Sequence, residues 1–93
     1  MKRLYETVVC VDGFSMSVQA SETSYCSPRT NEGPYSEVEV GFPSEREDLL
    51  MEYAESPEDP TGTVYGWVPA LNVWNTILKH GGIASGELPL LKI

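Results

Sequence analysis

Few side chains here can do chemistry: one histidine, His80, two cysteines, Cys10 and Cys26, and fourteen carboxylates. His80 falls in the last turn of an expected helix that stops at Gly81-Gly82, where a positive or hydrogen-bonding side chain suits the helix dipole. Capping accounts for it better than catalysis. Cys26 sits in a Ser/Pro-rich loop as an expected exposed thiol, yet no local motif joins it to His80 as nucleophile and base. Cys10 reads as a small apolar strand residue. Positions 10, 26 and 80 lack zinc-site spacing. Gly81-Gly82 follows a helix, the wrong dipole end for a phosphate. Glu55-Ser56-Pro57-Glu58-Asp59 offers oxygen ligands without the periodicity or central glycine of a calcium loop. No two carboxylates are set apart by divergent surroundings. The expectation is a protein with no catalytic activity, no cofactor and no metal.

The carboxylates are informative as a distribution. Fourteen Asp and Glu against six Lys and Arg give a net charge of −8 over 93 residues. That balance argues against direct binding to nucleic acid or to an anionic membrane, both of which need Lys and Arg. It leaves basic proteins as partners. Ten of the acids lie between Glu32 and Asp59 with Arg46 as the one base, so this segment carries −9 and the remainder +1. Glu37 and Glu39 on one strand face stand roughly 6.6 Å apart along the strand. On a helix over 44–55, Asp48, Glu52 and Glu55 share a face at i, i+4 and i+7. Such a surface offers a row of negative charges to a site built for a polyanion. The candidate partner-binding residues are Glu37, Glu39, Glu45, Glu47, Asp48, Glu52 and Glu55. The competing account is a solvated acidic face that keeps a small protein soluble.

The elements that must position these groups follow from patterning. Lys2 and Arg3 open the chain, but Glu6 and Asp12 interrupt the apolar stretch behind them, so it reads as a strand and not as a signal peptide. Leu4–Val11 is rich in β-branched and aromatic residues, and Phe14–Ser21 alternates apolar and polar. Asp12-Gly13 between them predicts a two-residue hairpin turn. That register puts Val11 opposite Phe14, Val9 opposite Met16, Thr7 opposite Val18 and Tyr5 opposite Ala20 on the core face, with Val8 and Cys10 turned away. Residues 22–35 read as a loop. Ser36–Phe42 is a third strand, with Val38, Val40 and Phe42 on one side and Glu37 and Glu39 on the other. Ser44 and Glu47 resemble a capping box opening a short helix over 44–55. Residues 56–62 are a turn. Thr63–Val68 is a fourth strand. Pro69 introduces a helix at about 70–80 whose stripe of Leu71, Trp74 and Leu78, extended by Ala70, Val73 and Ile77, faces the core. Residues 83–93 form a final strand or an extended tail. The chain is thus a single α+β domain, an antiparallel sheet with a C-terminal helix on one face. No apolar run approaches the roughly 20 residues of a membrane span.

Tyr65, Trp67 and Trp74 are expected in the core, joining the fourth strand to the helix. Tyr25, Tyr35 and Tyr53 border polar segments and are read either as interface anchors or as ordinary half-buried residues.

The stretches VVCVDGFSMSVQAS, YCSPR, GPYSEVEVGFPSE and TVYGWVP, with a helix ending KHGG, resemble small proteins encoded by bacteriophages and prophages. In size, charge and lack of catalytic groups the chain looks like the anti-CRISPR class. The resemblance implies a stoichiometric inhibitor of a host CRISPR–Cas complex in the bacterial cytoplasm, acting by DNA mimicry, as a monomer or homodimer. Two cysteines without a disulfide framework agree with that reducing compartment. The alternative is a phage accessory or structural protein that associates through apolar surface.

Overall fold

A computed structural model describes residues 4–93; Lys2 and Arg3 lie outside them. The strands are β1 (Val8–Cys10), β2 (Ser15–Gln19), β3 (Glu37–Gly41), β4 (Val64–Pro69) and β5 (Ile83–Ser85). The one α-helix among the described residues, α1 (Ala70–Lys79), stands between β4 and β5, and Met51–Tyr53 forms a 3-10 turn. All strand pairs are antiparallel, in the order β4-β3-β2-β1-β5. The chain is therefore α+β with a C-terminal helix, as its patterning implies. β2 joins two ladders: Ser15 and Met16 pair with β1, whereas Ser17, Val18 and Gln19 pair with β3. β5 closes the sheet against β1, with Val9 opposite Ser85, and just outside the strands the Glu87 N–H donates to the Glu6 carbonyl. The residues just before β1 and just after β5 thus lie side by side.

The alternating residues of β2 and β3 do what period two requires. Met16, Val18, Val38 and Val40 are buried, and Ser15, Ser17, Glu37 and Glu39 are half-buried on the other face. The hairpin register differs from expectation by one residue. Val8 pairs with Met16 and Val9 with Ser15, and the Cys10 N–H donates to the Phe14 carbonyl at 2.7 Å. The connection is a three-residue loop, Val11-Asp12-Gly13, with Gly13 at φ +97°. A one-residue slip exchanges the faces, so Val8 and Cys10 are buried while Val11 is exposed. The cause is local. An Asp12 carboxylate oxygen accepts the Phe14 N–H at 2.9 Å, the side-chain turn that Asp favours. Tyr5 and Thr7 consequently join no ladder. The Gln19 amide instead accepts the Tyr5 N–H at 2.9 Å and donates to the Tyr5 carbonyl at 2.7 Å.

α1 packs its small and β-branched residues inward. Ala70, Val73, Thr76 and Ile77 are buried, whereas Leu71, Trp74 and Leu78 are exposed. The helix is rotated from the expected orientation, its slimmer side against the sheet. Its end is the expected one. Gly81 at φ +92° lets its own N–H reach the Leu78 carbonyl at 3.1 Å and the Gly82 N–H reach the Ile77 carbonyl at 2.9 Å, a Schellman motif.

The expected helix over 44–55 is absent. The Ser44 hydroxyl accepts the Ser15 N–H at 3.0 Å instead of capping a helix, and Glu47 turns inward. An isolated helix of this length is marginal in water, and these tertiary bonds outweigh it. What remains is a loop that sinks Leu50 into the core and ends in the 3-10 turn. Phe42, at φ +51°, turns outward instead of continuing the buried side of β3.

Candidate functional site

The seven candidate residues separate in space. Glu37 and Glu39 stand on the sheet face opposite the core. Glu45, Asp48, Glu52 and Glu55 are exposed on the loop before β4. Glu47 is 2% exposed and leaves the surface altogether. Asp48 is paired with Arg46 at 3.0 Å, and both Glu45 and Asp48 act on the Lys79 ammonium. Glu39 and Glu55, by contrast, flank an aromatic cleft that the sequence reading missed.

The cleft begins at an irregularity in β4. Val38 pairs with Val68 but Val40 pairs with Tyr65, so two residues, Gly66 and Trp67, stand opposite Glu39. Trp67 occupies the left-handed region at φ +50°, which costs a bulky residue about 1–2 kcal/mol. This bulge turns Trp67 outward, 46% exposed, while its neighbour Tyr65 remains buried. Tyr25 stacks on the indole with ring centroids 5.0 Å apart and planes 24° apart. Its backbone is fixed twice: the Tyr25 N–H donates to Glu39 Oε1 at 2.9 Å, and its carbonyl accepts the Trp67 N–H at 3.0 Å. Gly66 lies under Tyr25: a Cβ there would stand 3.4 Å from the Tyr25 Cβ, in ordinary contact. On the far side the Glu55 N–H donates to the Val64 carbonyl at 3.0 Å, and Ala54 bridges to Tyr65. Tyr25, Tyr53, Glu55, Gly66 and Trp67 thereby line an open cleft of about 390 Å³. The same segment covers the outer edge of the sheet.

Of the other aromatics, Trp74 is exposed on α1, and Tyr35 is fully buried with its hydroxyl donating to the Thr30 carbonyl at 3.0 Å. Cys26 is buried, not exposed, and its thiol donates to the Ser21 carbonyl at 3.2 Å. Among the described residues no group of His, Cys, Asp and Glu is placed to hold a metal ion.

The missing carboxylate, Glu47, belongs to a buried ionic cluster around His80, which is 8% exposed. His80 Nδ1 meets Asp12 Oδ2 at 2.6 Å, and Nε2 meets Glu47 Oε1 at 2.7 Å. A neutral imidazole has one N–H, so two carboxylate partners call for the imidazolium. Phe14 stacks on the ring at 4.1 Å. Lys79 Nζ donates to Glu47 Oε2 at 2.9 Å, and the Leu49 N–H donates to the same oxygen at 3.0 Å. Burial disfavours the cation of His80, but Glu47 and Asp12 outweigh it and raise the group above its ordinary 6.5. Burial likewise pushes Glu47 up, and the Leu49 N–H, Lys79 and His80 together bring it below its ordinary 4.5. The Phe14 N–H, then His80, lower Asp12. With both ring nitrogens occupied, His80 ties the hairpin tip, the loop before β4 and the end of α1 into one unit.

Linkage gives this cluster a pH signature. The His80 contribution is complete below 6.5 and is lost as pH rises through its raised folded value. The Glu47 contribution is complete above 4.5 and is lost as pH falls through its lowered folded value. Urea midpoints followed from acid to alkaline solution are expected to peak between pH 4.5 and 6.5. A midpoint that kept rising above that window would remove the imidazolium from the account.

Comparison with family models, with curated proteins and with solved structures returns no match to this chain.

Proposed function

We propose that this protein is a phage-encoded inhibitor of the anti-CRISPR kind. In the bacterial host cytoplasm it binds a basic nucleic-acid-binding protein or CRISPR–Cas complex and occupies, by charge mimicry, a site meant for DNA. The observation that supports this most is the −9 segment, most of whose carboxylates are exposed on the loop before β4, where Glu55 lines the cleft of the stacked Tyr25–Trp67 pair. Acids supply steering and selectivity for a basic partner. Exposed Trp and Tyr supply the anchors that carry binding energy at interfaces. The acids do not form the single row first envisaged, so the mimicry rests on Glu45, Glu52, Glu55, Glu58 and Asp59 with Glu37 and Glu39, and not on the buried Glu47 or on Asp48, which is paired with Arg46.

The immobilised protein, presented to a bacterial lysate at low and high salt, tests this. Basic nucleic-acid-binding proteins are expected to be retained at low salt and displaced by added double-stranded DNA. Retention indifferent to both salt and DNA would sink the mimicry.

A second reading, a phage accessory protein that self-associates through apolar surface, draws on Leu71, Trp74 and Leu78, exposed together on α1. Trp74 also lines a cleft of about 410 Å³ with Leu88, Pro89, Leu90, Leu91 and Ile93. An uncharged patch of this kind marks contact sites in soluble proteins. A molar mass by light scattering that doubles for the native chain and halves for Trp74→Glu would favour it.

A further inference from the structure

We infer that the cleft between Tyr25, Tyr53 and Trp67 is a receptor for one arginine side chain of the partner, with the guanidinium laid on the aromatic rings and paired with the Glu55 carboxylate. This deepens the proposed inhibitor reading and rests on it for the identity of the partner as a basic protein. Three features of the site converge. Its lining brings three aromatic residues and one acidic residue around an open cleft of about 390 Å³, the composition that selects cations through ring quadrupoles and charge. Its polar groups are available: among the described residues the Glu55 carboxylate, the Tyr53 hydroxyl and the Trp67 indole N–H meet no hydrogen-bonding partner. Its frame is rigid, because Tyr25 is held by Glu39 and by the Trp67 N–H, and Glu55 by the Val64 carbonyl. A frame set before binding loses little entropy when the guest arrives.

The chain itself narrows the chemistry of the guest. Arg29 already places its guanidinium carbon 5.8 Å from the Tyr25 ring centroid while Trp67 stacks on the same ring, so Tyr25 pairs with a guanidinium within the chain itself and leaves Trp67 and Tyr53 as the rings that an incoming guanidinium meets. A planar guanidinium stacks and forks to a carboxylate at once, which a lysine ammonium does not. An unstacked nucleobase also suits exposed aromatics, but Glu39, Glu55 and the −9 segment repel the phosphates that accompany it. Trp67 stands strained at φ +50°, and strain of this sort is held where a side chain must be presented.

The test is a titration of the ¹⁵N-labelled protein with N-acetyl-arginine methylamide, followed at the Trp67 indole N–H, with the Trp74 indole as internal control. N-acetyl-citrulline methylamide, planar but neutral, and a short oligothymidylate are run in parallel. Saturable movement of Trp67 with arginine is expected, with affinity about tenfold weaker for citrulline and for the Glu55→Gln variant. That variant keeps the shape of an exposed residue and its backbone hydrogen bond. No movement of Trp67, equal response to citrulline, an unchanged Glu55→Gln variant, or preference for the oligonucleotide would each overturn the inference. The titration needs no target protein. Arginine binding without DNA-sensitive capture therefore condemns the inhibitor reading alone, and the converse condemns the arginine receptor alone.

Discussion

Glu47→Ala is expected to lower the stability of the fold by about 3 kcal/mol, the lower end for breaking a buried ion pair. For a chain of this size that is a fall of about 15 °C in melting temperature. The substitution leaves His80 Nε2, the Leu49 N–H and the Lys79 ammonium without the acceptor they share. Lys79 is half exposed and regains water. The imidazole is buried and does not. It should therefore surrender its proton more readily, so the fall in stability on the alkaline side should flatten in the same variant. Urea denaturation at pH 6 and at alkaline pH checks both parts. Lys79→Met, which removes the exposed partner, should cost far less, because a solvated ion pair is screened. Equal costs for the two would mean that Glu47 serves the lysine and not the histidine.

The second large effect concerns binding. Glu45, Glu52 and Glu58 are exposed and accept no hydrogen bond within the described residues, and the pull of Glu45 on Lys79 acts at the surface, so all three can be changed to lysine without disturbing the core. Each change adds two charges, and the net charge moves from −8 to −2. Melting temperature should hold or rise slightly as like-charge repulsion is relieved. Association with the basic partner should weaken more than a hundredfold, about 3 kcal/mol, chiefly through slower association at low salt. Isothermal titration and surface-capture kinetics at two salt concentrations separate these effects. Undiminished binding would remove the acidic loop from the interface and leave the apolar strip on α1 as the surface to pursue.

The class of fold was legible because alternation in Phe14–Ser21 and Ser36–Gly41, and the Gly81-Gly82 stop, are local signals. The misjudged features turn on competitions that local signals do not arbitrate. Asp12-Gly13 announces a turn, but one further hydrogen bond, from the Phe14 N–H to the Asp12 carboxylate, lengthens the loop by a residue and reverses both faces of β1. In α1 two apolar stripes lie side by side, and the fit of Val73 and Ile77 against the sheet, not hydrophobicity, decides between them. Ser44 and Glu47 have capping-box spacing, yet each finds a better partner far along the chain, Ser15 and His80. The aromatic cleft did leave one trace. Gly66 inside an otherwise β-branched and aromatic strand is a mark of a bulge, and a bulge before Trp67 breaks the alternation that would have buried it.

The pairing of β1 with β5 has a consequence in time. Val9 waits for Ser85, Asp12 for His80 and Glu6 for Glu87. At ribosomal speeds the delay between the first and last of these partners is on the order of 10 s. Through that interval the β1–β2 hairpin exists without its second edge, and the Asp12 carboxylate without its cation. Contacts this distant in sequence place the chain among slow folders of its length, and its nascent N-terminal third is the part most exposed to unwanted strand pairing while synthesis continues.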